Sequence, residues 1–276
     1  MDSIATGSLF LWRAAALVIG PGIDSKLHRH FALQLTFGID GPFRARLADD
    51  AAWSVTSAAL FAPNQPHQID AGGLLAHLFL ELPQAQRSGT SSLHADFTDQ
   101  EQFATVRAYL QHACRSPSAA ADFESATHAA RRWRDCVTGG PRDMGAVPFD
   151  VRIERAIRVI VDSLVNGSVD VINQSMANRQ SFNLDGKSLA AWVHLSESRF
   201  THLFRSQTGL PLSRYLLWTR LLCALEAVAH GANMTRAAHQ AGFADLAHMS
   251  RTFRDTFGVV PSALQKMTIA FKREGL

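Results

Sequence analysis

The chain has 276 residues, 47% of them hydrophobic and 18% charged, which describes a folded protein of about two ordinary domains and excludes a disordered one. No apolar run approaches the roughly 20 residues that span a bilayer. The N-terminus lacks the pattern of a secretory signal, and the three cysteines (Cys114, Cys136, Cys223) are too scattered for a disulfide framework, so the expected compartment is the cytoplasm, with no membrane partner. The net charge of +3 is unevenly placed: residues 186–276 hold 11 Lys+Arg against 5 Asp+Glu, a balance of +6, leaving −3 on the other 185 residues. A basic C-terminal third on an acidic remainder fits a polyanionic partner for that third.

Short apolar segments predict strands at 9–19, 31–37, 43–47, 53–56 and 74–82. Glycines and prolines separate them at Gly20, Pro21, Gly22, Gly41, Pro42, Pro63, Gly72 and Gly73, the pattern of a small barrel or sandwich. The periodicity then changes. Thr98 and Glu101 have the spacing of a capping box, opening a helix with Phe103, Val106, Leu110 and Ala113 on one face. A second helix places Phe123, Ala126, Ala130, Trp133 and Val137 together at alternating three-and-four spacing. These apolar faces suit either packing on their own barrel or a contact between two copies, and Cys114 and Cys136 read as packing residues among them. Residues 138–145 read as a linker. A helix over 150–166 follows, with Ile153, Ala156, Ile157, Ile160 and Leu164 on one side, then a polar, patternless stretch at 167–187. The rest reads as helical to the end.

Within that last region one unit occurs twice, 49 positions apart. Residues 196–209 read SESRFTHLFRSQTG, and residues 245–258 read DLAHMSRTFRDTFG. Each is a short helix with a capping residue, two apolar anchors, an arginine and a terminal glycine, and each follows another short helix; this is the sequence form of a helix-turn-helix. In the first copy Phe200, Leu203 and Phe204 form the inward stripe, while Ser198, Thr201, His202 and Arg205 share an outer face. In the second, Met249, Phe253 and Phe257 point inward, and Ala247, Ser250, Arg251 and Arg254 take the equivalent outer row. An outer face that is short-armed at its start and cationic at its end suits a helix entering a major groove N-terminus first. The second turn is one residue longer, and Gly242 is expected to absorb the difference. A helix from Leu212 to His230, closed by Gly231, lies between the units; at 1.5 Å per residue it is roughly 28 Å long, close to the 34 Å repeat of DNA. Two readers in adjacent major grooves are therefore expected.

The residues Leu189, Ala190, Ala191, Val193, Leu195, Ser196, Phe204, Arg205, Gly209, Arg214, Tyr215, Arg220 and Leu221 together resemble the AraC/XylS family of transcription regulators. The resemblance continues through Ala238, Gly242, Phe243, Asp245, His248, Arg251, Phe253, Gly258, Pro261 and Ser262, so that it covers about 75 residues. It implies a two-unit DNA-binding domain with base contacts from Ser198, Thr201, His202, Ala247, Ser250 and Arg251, and phosphate contacts from Arg199, Arg205 and Arg254. The chain departs from the family at 167–187, where its connection is longer, which leaves the packing of the preceding helix undetermined.

The strand region carries a second pattern: Gly22, His28, His30, Gln34 and Gly41, followed by Pro63, Pro66 and His67. It resembles the two motifs of cupins, small β-barrels, with Gln34 where their glutamate stands. Alternate residues of a strand face the same way, so His28 and His30 share the interior with His67. Three imidazoles suffice for a transition metal, and His28, His30 and His67 are the metal candidates. The neutral glutamine removes the anionic ligand, so the reading adopted is an organic effector site with no metal and no other cofactor. Its residues are His28, His30, Gln34 and His67, with Arg46 and Trp53 beside them; His77 reads as a satisfied core histidine.

The fold class expected is α+β: a cupin-like β-barrel over 1–97, a helical dimerisation element and linker over 98–140, and an all-α domain with two helix-turn-helix units over 148–276. The function expected is a sequence-specific transcription regulator, not an enzyme, with no catalytic residues. Its partners are double-stranded DNA, an unidentified small-molecule effector, a second copy of the chain and, as the family implies for activators, RNA polymerase. The alternative is a cupin-type metal-dependent enzyme or metal sensor joined to a DNA-binding domain.

Overall fold

The computed structural model describes residues 7–12, 15–22, 25–81, 92–115, 122–138, 150–166, 184–208, 210–257, 260–272 and 276. The linker expected at 138–145, most of the stretch at 167–187, and the terminal glycines Gly209 and Gly258 lie outside the described residues. Described residues up to 81, those at 92–138 and those from 250 onward form one unit; those at 150–249 form the other.

In the first unit β1 (Gly7–Trp12) and β2 (Ala15–Pro21) pair antiparallel, Ser8 opposite Ile19, so the apolar run read as one strand folds back on itself. With β3 (Leu33–Gly38), β6 (Ala58–Phe61), β8 (Leu74–Leu80) and β9 (Met267–Phe271) they make a six-stranded sheet in the order β6-β3-β8-β2-β1-β9. A second sheet of three strands, β5-β4-β7, comprises β4 (Phe43–Arg46), β5 (Ser54–Thr56) and β7 (Gln68–Asp70). Alternation assigns the faces. Leu33, Leu35 and Phe37 of β3, with Ala76, Leu78 and Leu80 of β8, join the core formed with two helices, α1 (Glu101–Arg115) and α2 (Phe123–Thr138). Ala59, Phe61 and Leu75 instead pack with Phe43, Ala45 and Ile69 of the small sheet and with Ala71 just beyond β7. Gln34 and Thr36, alternating with the helix-facing residues of β3, are left on that second, inner face, and both are buried.

The first helix buries the face expected of it, Phe103, Val106, Leu110 and Ala113; of the face expected of α2, Ala126, Ala130 and Trp133 are buried, Phe123 and Val137 are partly buried, and Cys136 is buried beside them. That apolar surface is therefore covered by the chain's own sheet, and Cys114 and Cys136 are free thiols packed in it. The capping box expected at Thr98 is not where α1 begins: Thr98 lies in a 3-10 turn, Asp96–Asp99, and the helix starts at Glu101. The chain is also not helical to its end. A 3-10 turn, Pro261–Lys266, leads into β9, which pairs parallel with β1, Gly7 opposite Met267 and Leu11 opposite Phe271. The Lys272 amide donates to the Leu11 carbonyl at 3.0 Å, and the Arg134 guanidinium donates to the Leu276 carbonyl at 2.8 Å, holding the terminal segment on this unit.

The second unit is helical: α3 (Val151–Asn166), α4 (Gly186–Trp192), α5 (Glu197–Thr208), α6 (Leu212–Ala229), α7 (Met234–Gln240) and the start of α8 (Leu246–Phe257). Ile153, Ala156 and Ile160 of α3 share one core with Leu189, Ala190, Val193, Phe200, Phe204, Leu212 and Leu216. The Asp150 amide, one residue before α3, donates to the Gln207 amide oxygen at 2.9 Å. The first helix thus packs on α5 and α6, which answers the question its long connection raised.

Candidate DNA interface and histidine cluster

The two helix-turn-helix units are built by the same devices. Asp185 caps α4 through the Ser188 amide at 2.7 Å, and Asn233 caps α7 through the Arg236 amide at 2.9 Å. Each second helix is capped three residues ahead: the Arg199 amide donates to Ser196 Oγ at 3.4 Å, and the His248 amide to Asp245 Oδ1 at 2.6 Å. Such caps satisfy amides that a helix start leaves without partners. Both turns need one residue in the left-handed region, filled by His194 (φ 55°) in the first and Gly242 (φ 76°) in the second. Each stands two residues past the end of its first helix, so Gly242 is the counterpart of His194, and the extra residue of the second turn lies after it, among residues 243–245. Ala190 and Ala238, at equivalent positions of the first helices, are both buried.

The inward residues Phe200 and Phe204 of α5 and Met249 and Phe253 of α8 are buried. On the other face Ser198, Arg199, Thr201, His202 and Arg205 of α5 are exposed, as are Ala247, Arg251 and Arg254 of α8, with Ser250 half-buried. The Thr201 hydroxyl donates back to the Glu197 carbonyl at 2.9 Å and lies 3.0 Å from the Ser198 carbonyl. None of the ion pairs among the described residues engages Arg199, Arg205, Arg251 or Arg254. Each unit offers a polar, cationic face on a helix whose opposite side is locked into a core. That is the chemistry a duplex groove and its phosphates require.

Over residues 189–267 the sequence matches the helix-turn-helix domain family. Residues 189–267 are a helix-turn-helix domain. The chain is also similar to the transcriptional activator RhrA of Rhizobium meliloti (strain 1021), 32% identical over 102 residues. That match spans 36% of this chain and 31% of RhrA, about a third of the relative's length. A solved structure of apo ToxT from Vibrio cholerae strain SCE256 has the same fold over 90% of this chain and 96% of its own, with a TM-score of 0.51 at 10% identity. The AraC-like transcriptional activator CuxR superposes with a TM-score of 0.34 at 16% identity, over 83% of this chain and 82% of its own.

In the strand-rich unit, His28, His30, Gln34 and His67 come together. His30, Gln34 and His67 are buried and His28 is half-buried. The chain segments holding His28 and His67 bridge each other, each amide donating to the other's carbonyl at 3.0 and 2.9 Å. Ring centroids stand 4.3 Å apart for His28 and His67, 5.0 Å for His30 and His67, and 5.7 Å for His28 and His30. Phe61 stacks on His67 at 4.2 Å, and Phe79 meets His30 edge-on at 5.2 Å. Burial among these apolar rings, with the neighbouring imidazoles, pushes the His30 pKa down to about 3 and holds His67 well below the ordinary histidine value. Both rings are therefore neutral at physiological pH.

Arg46 and Trp53 are not part of this cluster. Arg46 stacks on Trp53 at 4.9 Å, donates to Gln68 Oε1 at 2.9 Å and pairs with Asp49. Gln68 follows His67 on a strand, so it faces the opposite way, and the guanidinium goes with it. The cluster has two further members. Thr36 Oγ1 lies 3.0 Å from His77 Nδ1, and Gln34 Nε2 reaches both, at 2.9 and 3.2 Å. His77 is satisfied as expected, but its partners belong to the histidine cluster, and burial lowers its pKa to about 4.

Proposed function

We propose that the chain is a sequence-specific DNA-binding transcription regulator, cytoplasmic and without catalytic activity, whose N-terminal barrel binds the effector that controls DNA binding. The observation that carries this reading is the pair of capped helices whose outer faces are exposed and cationic while their inner faces are fixed in cores. Base contacts are assigned to Ser198, Thr201, His202, Ala247, Ser250 and Arg251, and phosphate contacts to Arg199, Arg205 and Arg254. The two sets differ, so each copy reads an asymmetric site. The effector site is assigned to His28, His30, Gln34 and His67. Control requires the effector to bind two states of the protein with different affinity. Two copies acting on adjacent sites, and a contact with RNA polymerase, complete the proposal.

DNA selected from a random pool tests it. Affinity for the enriched sequence is expected to exceed that for its scrambled form by at least about 1,000-fold at physiological salt, and to fall steeply as salt is added. Arg251→Ala is expected to cost about 1–3 kcal/mol and to relax preference at one base pair. Equal affinity for scrambled DNA, unchanged in the variant, would sink the reading.

A further inference from the structure

We propose that the second reading helix is latched by the sensory sheet: Phe257, the last residue of α8, docks on Phe79 of β8, and an effector entering the histidine cluster expels it and frees the helix for DNA. This rests on the readings of the barrel as the sensory part and of α8 as a reader, and it names the device that joins them.

Strand register places the parts. Ala76, Leu78 and Leu80 of β8 join the core with α1 and α2, so by alternation His77 and Phe79 point to the inner face. There Phe79 stands opposite Gln34 of β3 on one side and Ala16 of β2 on the other, and the same row continues through Leu11 of β1 to Phe271 of β9. The Phe79 ring meets His30 edge-on at 5.2 Å and Phe257 edge-on at 6.0 Å. Phe257 in turn lies 4.7 Å from Phe253, the buried anchor of α8. Both phenylalanine pairs have the spacing of favourable aromatic contacts. Ring contacts thus run without a break from Phe61 and His67 through His30 and Phe79 to the reading helix. Beyond α8 the chain returns to the same sheet as β9, and residues 250–276 group with the strands.

Space gives this contact its consequence. The rings of His28, His30 and His67, with centroids 4.3 to 5.7 Å apart, leave no room among them for an organic molecule, whose sites span hundreds of cubic ångströms. On one side Phe61 is fully buried and packed with the small sheet, so that wall is fixed. On the other, Phe79 and Phe257 are half-buried, and their contact is the one that gives way. Occupancy of the cluster and docking of Phe257 therefore exclude each other, which supplies the difference in affinity that control requires. The sign follows from how a site is read. The helix α5 is fixed in the helical core, whereas residues 250–257 of α8 group with the strands. Two helices that enter grooves one DNA repeat apart must be held by one core, so the docked α8 is the weaker-binding state.

Two measurements on the full chain test the latch: affinity for the duplex selected from the random pool, and hydrogen exchange of the protein without DNA. Phe79→Ala and Phe257→Ala are each expected to tighten the selected duplex about 5- to 150-fold, the usual range for coupled sites. The double variant should gain no more than the better single one, because both remove the same contact. Phe79→Leu keeps the apolar bulk without the ring; it is expected to shift affinity in the same direction and serves if Phe79→Ala unfolds the sheet. In Phe79→Ala the amides in the last turn of α8 should exchange faster while those of α5 keep their protection. Unchanged exchange in that turn overturns the proposal, and so does faster exchange with unchanged or weaker DNA affinity. Additive gains in the double variant would mean two separate effects and overturn it too. Failure of the regulator reading looks different: the unaltered chain then binds selected and scrambled duplex alike, and the latch falls with it.

Discussion

Gly242 and His194 show how one backbone requirement is met by different residues. Both sit at positive φ in the turn between paired helices, 76° and 55°. A Cβ at Gly242 would meet nothing nearer than Arg220 Nε at 3.6 Å, an ordinary contact, so a side chain there costs backbone strain rather than a clash. Gly242→Ala is expected to destabilise the domain by about 1–2 kcal/mol, read as a lower midpoint of thermal unfolding, while base preference is kept. The glycine was legible in the sequence as a turn residue, although the extra residue it was expected to absorb lies after it; His194 was not, because a histidine in a turn carries no mark of handedness. The histidine cluster divides in the same way. His28, His30, Gln34 and His67 are spaced to share an interior, and strand alternation adds Thr36 to the face of Gln34. His77 joins through a pairing with β3 that spans 41 residues, and nothing local announces such a partner.

At the level of elements, the long periodic helices and their inward faces follow from spacing alone, as the buried Ile153, Ala156 and Ile160 of α3 illustrate. The short strands do not. β6 and β7 have four and three residues, too few for an alternation to stand out. β9 follows more than 70 residues of helical pattern, and its five residues become a strand only because β1 offers an edge. The Lys272 amide bonds to β1, so by alternation the Ala270 amide points there as well. Ala270→Pro removes that donor and is expected to cost about 1 kcal/mol or more. The loss should appear as faster hydrogen exchange along β1 and β9, with the amides of α5 and α6 unaffected. Equal loosening of α5 and α6 would show that β9 does more than close a sheet edge.

Across the whole molecule, the charge division anticipates the division of labour: the +6 of residues 186–276 lies in the stretch that carries both reading helices. The fold class was legible because strand and helix patterns occupy separate stretches of chain. The placement of residues from 250 onward with the strand-rich unit was not, since it depends on the β1–β9 pairing. Under the proposed function, two non-equivalent helices, α5 and α8, read one site together. Hydroxyl-radical footprinting of the full chain on its selected sequence tests this most directly. The account predicts two protected tracts on one face of the duplex, about 10 base pairs apart, the one assigned to α8 lost in Arg251→Ala at limiting protein while the other persists. A single protected tract, or protection that disappears as one block in that variant and in His202→Ala alike, would contradict it.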